Sequence, residues 1–164
     1  MVNEIPGMTV SAHSAEARYR ADFEEEGFNF KPWNSSEGYP TSSMPALQAT
    51  KCAQLQGGEA FERFHIALFK AFFEESRNIG DREVLSSLAN EAGLDVEKFS
   101  SDLDRGSQEK EVLVEYEEAR IKYAGRGIPL AIIGDRYPVM GAAPIAMYRR
   151  AIDLCLTNLT RHQT

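Results

Sequence analysis

Cysteine is nearly missing from this sequence: there are two in 164 residues, Cys52 and Cys155. They stand too far apart to make a CxxC pair, a metal-ligand pair or a disulfide framework. Positive charge is also in deficit, with 18 Lys and Arg against 25 Asp and Glu, a net charge of −7 and a pI near 5.0. Such a surface repels a phosphate backbone, so no nucleic-acid partner is expected. No apolar run approaches the roughly 18 residues that suggest a bilayer span. No basic-then-apolar leader opens the chain, so no membrane is expected either. Nucleotide-loop, GxSxG, HExxH and GxGxxG patterns are all lacking. Neither catalytic residues nor metal ligands are assigned, and His65 has no Cys or carboxylate at ligand spacing.

Aromatic residues, by contrast, are abundant, with nine Phe, six Tyr and one Trp. They argue against wholesale disorder, and a chain of this length buries roughly 70% of its unfolded surface without a staple. The composition describes one soluble, cytoplasmic domain over residues 1–164, with a helical region at 9–123 and a hairpin-plus-helix region at 127–160.

The helical region is well punctuated. Thr9 is placed to cap a helix over residues 10–26 with Ala12, Ala15, Tyr19 and Phe23 inward, and Gly27 stops it. Helices at 44–56 and 59–75 follow. The second carries Phe61, Phe64, Leu68, Phe69, Phe72 and Phe73 at three- and four-residue spacing. His65 shares that stripe, where a histidine is ordinarily a hydrogen-bonded core residue. Asp81, Asp95 and Ser107 read as N-caps of three more helices, with Gly93 and Gly106 as stops. The last runs to Tyr123 and points Val112, Tyr116, Ala119 and Tyr123 inward. Between the first two helices, residues 28–43 mix Pro32, Gly38 and Pro40 with Phe30 and Trp33. Proline and glycine exclude regular structure there, while the rings seek burial. Two readings stand: a loop pinned to the core by its rings, or the aromatic wall of a ligand cleft.

The texture changes near residue 127. Residues 129–133 read as an apolar strand, Gly134-Asp135 as a two-residue hairpin turn, and 136–140 as the returning strand. Pro138 cannot donate to a ladder and confines that strand to an edge or to brief pairing. Pro144 opens a final helix whose stripe is Ile145, Tyr148, Ile152, Cys155, Leu156 and Leu159. A lone hairpin is marginal in water, so its apolar faces need helices or further strands. Ahead of it, Gly127-Ile128-Pro129 suits a cis peptide bond, a feature largely confined to proline. A cis bond there would present main-chain polar groups to a peptide or thiol ligand. The alternative is a trans proline that starts a strand.

Residues 127–142, GIPLAIIGDRYPVMGA, resemble the closing hairpin of DsbA-like thioredoxin-fold oxidoreductases. They are most similar to the branch of 2-hydroxychromene-2-carboxylate isomerases and kappa-class glutathione transferases. The stretch 58–75, GEAFERFHIALFKAFFEE, resembles that branch's central insert helix, and Ala92-Gly93-Leu94-Asp95 its link between insert helices. The resemblance implies an α+β, mainly helical fold: a helical insert and then the C-terminal β-hairpin and helix of a DsbA-like thioredoxin fold. It also exposes a departure. Family members begin with a strand, a Cys-Pro-x-Cys helix and a second strand, whereas Pro6-Gly7-Met8 resembles the segment just after that second strand. The N-terminal βαβ unit is therefore expected to be missing.

Thiol exchange needs a thiolate beside the proline loop, and neither Cys52 nor Cys155 comes after a strand. The chain is expected to be a truncated family member without redox activity of its own. Gly127, Ile128, Pro129, Phe30 and Trp33 are the candidate ligand- or peptide-binding residues. No cofactor is required, although the isomerase relatives imply glutathione as a possible ligand. A non-enzymatic binding module is the other reading, with a homodimer formed through the exposed hairpin edge.

Overall fold

A computed structural model describes residues 9–21, 30–36, 38–122, 129–141 and 143–161. The order of elements is α1 (Val10–Ala21), α2 (Met44–Gln54), α3 (Gly58–Phe73), α4 (Arg82–Glu91), α5 (Val96–Asp104), α6 (Glu109–Lys122), β1 (Leu130–Ile133), β2 (Tyr137–Met140) and α7 (Ile145–Arg161). The fold is α+β and mainly helical. The chain forms two compact units, residues 1–112 and 113–164, and the division falls within α6.

The core of the first unit is built from α2 to α5. α2 contributes only small groups to it, Ala46, Ala49, Cys52 and Ala53, so larger neighbours can approach closely. Phe64 and Leu68 of α3, Leu85 and Leu88 of α4 and Phe99 of α5 fill that space. The Phe64 and Phe99 rings lie 5.4 Å apart at 56°, a favourable tilted pair, and both are 0% exposed. Burying each contributes about 1.5–3 kcal/mol.

Polar groups fix how the helices join. Asp81 accepts from the Glu83 and Val84 amides at 2.7 and 3.2 Å, and Asp95 accepts from the Lys98 amide at 2.9 Å. Both are the expected caps. Gln56 clamps the link before α5, accepting from the Asp95 amide at 2.8 Å and donating to its carbonyl at 3.2 Å. Arg63 on α3 donates to the Ala92 carbonyl at 2.9 Å.

Several local expectations need correction. Ser107 does not cap α6, because its hydroxyl donates back to the Asp102 carbonyl at 3.0 Å and the helix begins at Glu109. Tyr116 is 39% exposed, and α6 has almost no amphipathic bias to bury it. His65 is exposed rather than buried, lying between Phe61 and Phe69 along α3 with ring centroids 5.5 and 4.9 Å away. The buried line of α3 is Phe64, Leu68 and Ala71, one residue round the helix from His65. On α1 the inward residue is His13, while Ala12 and Ala15 are exposed. Tyr19, Phe23, Gly27 and the segment Pro6-Gly7-Met8 give no test, since the Tyr19 side chain and the other positions lie outside the described residues.

In the second unit β1 and β2 pair antiparallel, with Leu130 opposite Met140 and Ile133 opposite Tyr137. That register leaves three residues in the connection, so Arg136 belongs to the turn and not to the strand. Gly134 and Asp135 both have positive φ, 58° and 55°, and the Arg136 amide returns to the Ile133 carbonyl at 3.4 Å. The turn thus keeps its primed, positive-φ character with one residue more than the two expected. Among the described residues each strand has one neighbour, so Pro138 costs no ladder bond on a second side. α7 meets the hairpin through Tyr148, whose hydroxyl donates to the Gly141 carbonyl at 3.5 Å, and through Asn158, which donates to the Tyr137 hydroxyl. Ala151 between them is buried, whereas Ile145, Ile152 and Leu156 of the expected stripe are exposed.

Candidate functional site

The aromatic connector and the end of α3 come together because the main chain stitches them. The Lys31 amide donates to the Phe73 carbonyl at 2.9 Å, and the Asn34 amide donates to the Ser76 hydroxyl at 2.9 Å. Ser76 is buried and holds a left-handed φ of 57°, a conformation that costs a non-glycine residue free energy and must be held by its surroundings. The Arg77 amide bonding the Ala71 carbonyl at 2.8 Å supplies part of that hold.

Five rings from these two segments form a box: Phe30, Trp33 and Tyr39 from the connector, Phe72 and Phe73 from α3. Its occupant is His13, reaching in from α1 at 0% exposure. Ring centroids lie 5.0 Å from Phe72, 5.7 Å from Trp33, 5.8 Å from Phe73, 5.9 Å from Tyr39 and 6.3 Å from Phe30. The His13 Nε2–H donates to the Lys31 carbonyl at 3.1 Å, since a carbonyl can only accept. That assigns Nδ1 as the acceptor for the Tyr39 hydroxyl at 3.4 Å. Burial pushes the His13 imidazole below its ordinary range, opposed in part by the Lys31 carbonyl. Burial also pushes the Tyr39 phenol up to about 12.

Trp33 has a second role in the geometry. With Lys31, Pro32, Asn34, Glu74, Glu75 and Ser76 it lines an open cleft of about 540 Å³. Phe30 and Trp33 are thus brought together in the box, and Trp33 borders a cavity as well. His13 and Ser76 went unnoticed in the sequence. A lone histidine on a weakly amphipathic helix, next to a connector with more rings than it can bury, is the signal that could have found His13.

Of the proline loop, Gly127, Ile128 and hence the isomer of the bond to Pro129 lie outside the described residues. Pro129 is exposed at the mouth of β1, and its carbonyl accepts from the Gly141 amide at 2.8 Å. This loop belongs to the second unit and the aromatic box to the first.

The cysteines are both free thiols in structural settings. Cys52 is 0% exposed, and burial pushes its thiol up, reinforced by the Asp102 carboxylate. The Ser107 hydroxyl and Lys98 counter only in part. Cys155 is half-buried on α7 beneath the hairpin turn, with its Sγ seated where a Cβ on Gly134 would lie. Among the described residues no group of three or more His, Cys, Asp and Glu could hold a metal ion, and no helix is long and apolar enough to cross a membrane.

A helical block with an antiparallel hairpin and a closing helix after it is a DsbA-like thioredoxin-fold arrangement. The chain belongs to the DSBA-like thioredoxin domain family, whose profile matches residues 18–153. The uncharacterized protein YwbO of Bacillus subtilis strain 168 is 38% identical over 110 aligned residues, covering 57% of this chain and 52% of YwbO. The ClpXP adapter protein SpxH of Shouchella clausii is 44% identical over 65 residues, covering 40% of this chain and 22% of that one. The chain therefore spans about half the length of YwbO and about a fifth of SpxH. A crystal structure from Nitrosomonas europaea, provisionally described as a protein disulfide isomerase, superposes with a TM-score of 0.62 at 22% identity. It covers 75% of this chain and 62% of the other, and it shows the fold.

Proposed function

We propose that these 164 residues supply the substrate-holding side of DsbA-like thiol–disulfide chemistry and turn over no disulfide themselves. The observation that carries this reading is the setting of Cys52. The thiol of a CxxC oxidoreductase needs exposure, a lowered pKa and a partner cysteine three residues away. Cys52 is 0% exposed, its thiol is pushed up by burial, and Cys155 lies on another element in the other unit. The proposed holding residues are Gly127, Ile128 and Pro129 in the second unit and, taken separately, Phe30 and Trp33 in the first. The family assignment and the isomerase description of the Nitrosomonas neighbour support the substrate class, a peptide or small-molecule thiol. The unpaired CxxC-free cysteines are compatible with a reducing cytoplasm.

An insulin-turbidity assay with dithiothreitol tests the first part: the pure chain should leave the lag before precipitation unchanged. A lag shortened as much as by an equimolar CxxC enzyme defeats the reading. Calorimetry with millimolar glutathione tests the ligand class, and heat abolished by Trp33→Ala would place glutathione in the cleft.

A second reading is a non-enzymatic binding module. It is favoured by the hairpin, whose strands have no neighbour but each other among the described residues, and by the adapter description of SpxH. An unpaired strand edge is a template for another chain. On this reading the protein forms a homodimer through that edge, and sedimentation velocity at micromolar concentration should show twice the mass of 18.3 kDa. A strict monomer refutes it.

A further inference from the structure

We propose that His13 is an acid-released latch: its neutral ring pins α1 into the aromatic box, and protonation lets the helix go. Among the described side chains of α1 the hold runs through His13. Of the described side chains at positions 9–15, His13 alone is buried, Ser14 is partly covered, and Thr9, Val10, Ser11, Ala12 and Ala15 are exposed. The helix sequence has almost no amphipathic bias, and its described side chains offer no apolar stripe to share the load.

The box fits a neutral imidazole. Nε2–H has the Lys31 carbonyl at 3.1 Å and Nδ1 has the Tyr39 hydroxyl at 3.4 Å, so both nitrogens are satisfied with one proton on the ring. A second proton on Nδ1 would point at that hydroxyl and force the phenol to turn its own hydrogen elsewhere in a buried site. The groups facing the ring from the connector are Tyr39, which stays neutral because its phenol is pushed up to about 12, and the Lys31 carbonyl. From α3 they are Phe72 and Phe73, which carry no charge. Glu74 and Glu75, at the end of α3, line the cleft against Trp33, and no carboxylate is among the causes acting on His13. The ring faces could attract an imidazolium, but burial without a counter-ion opposes the charge more strongly.

Linkage fixes the sign. A docked ring with a lowered pKa binds fewer protons than a released one, whose pKa is about 6.5. The latch is therefore fully closed above about pH 6.5. Each pH unit below that raises the released-to-docked ratio about tenfold, until the docked ring itself takes up a proton.

The chain carries its own reporter, since Trp33 is its only tryptophan and its ring lies 5.7 Å from His13. Tryptophan emission and amide exchange of residues 10–21, corrected for intrinsic rate, are tracked from about pH 8 to about pH 5.5, with NMR titration of the three histidine rings. The expected results are a His13 midpoint below about 6.5, a coincident change in Trp33 emission, and about tenfold faster exchange in α1 at the acid end, while α3 and α4 stay protected. His13→Phe, which fills the box without titrating, should abolish the emission change. A His13 midpoint above that of a free histidine, a flat Trp33 signal, or a transition that persists in His13→Phe overturns the proposal. The wild-type NMR titration decides it even if the variant fails to fold.

Discussion

Four residues show how far position, more than chemical type, sets a role. Cys52 is a thiol by composition and a core hydrophobe by position. Ellman's reagent at mild alkaline pH should therefore label Cys155 and leave Cys52 intact until denaturant is added, because a thiol pushed up by burial is both protonated and inaccessible. Fast labelling of both thiols in the native protein would contradict that setting. Tyr39 titrates late for the same reason. Tyr39 should contribute a component that ionises near pH 12 in a 295-nm absorbance titration. Since its folded pKa is raised, its contribution to stability is complete below about pH 10 and is lost as pH rises towards about 12. Gly134 and Cys155 form a coupled pair. A methyl on Gly134 would run into the Cys155 Sγ and would sit at a φ of 58°. Gly134→Ala should cost about 2–4 kcal/mol in denaturant titration, from overpacking and backbone strain together. Cys155→Ala in the same chain should recover all but the roughly 1 kcal/mol of backbone strain. Simple additivity of the two changes would show that the sulfur is not what the methyl meets.

At the scale of elements, caps and core residues carry distinct shares. Asp81→Ala removes two amide acceptors from α4, and urea unfolding should register a loss of about 1 kcal/mol. Phe64→Ala opens a cavity where α3 packs on α5 and should cost about 3–5 kcal/mol. A Phe64 effect below about 1 kcal/mol would mean that the ring is not the centre of the core. Element identity was legible in the residues. Asp81 and Asp95 marked two helix starts, Gly93 and Gly106 marked two ends, and Thr9 does cap α1, accepting from the Ala12 amide at 3.2 Å. These signals are local, so they survive whatever packs around them. Facing was not legible where periodicity was ambiguous. On α3 apolar residues run almost all the way round, and the stripe that includes His65 and Phe69 is the exposed one. On α1 Ala12, Ala15, Tyr19 and Phe23 suggested one face, while the His13 ring on another face found a box deep enough to bury it.

For the molecule as a whole, the two cysteines stand in different units and form no disulfide. Dithiothreitol should thus leave the melting temperature of the protein unchanged, as read by circular dichroism. A fall of several degrees would reveal a bond absent from this fold. With seven more acidic than basic groups, solubility should be lowest near pH 5.0, so the acid titration of His13 is best run in dilute protein.

What the sequence determined by itself is whatever depends on neighbours along the chain: helix ends, the Gly134-Asp135 reversal, the want of a CxxC pair, and a family pattern running from residue 58 to residue 142. The tertiary structure alone decided which rings meet. Phe30, Trp33, Tyr39, Phe72 and Phe73 come from two segments, and their convergence on His13 depends on main-chain bonds from Lys31 to Phe73 and from Asn34 to Ser76. Burial, and with it the protonation of a histidine, is a property of what surrounds a residue in space, and spacing along the chain does not encode it.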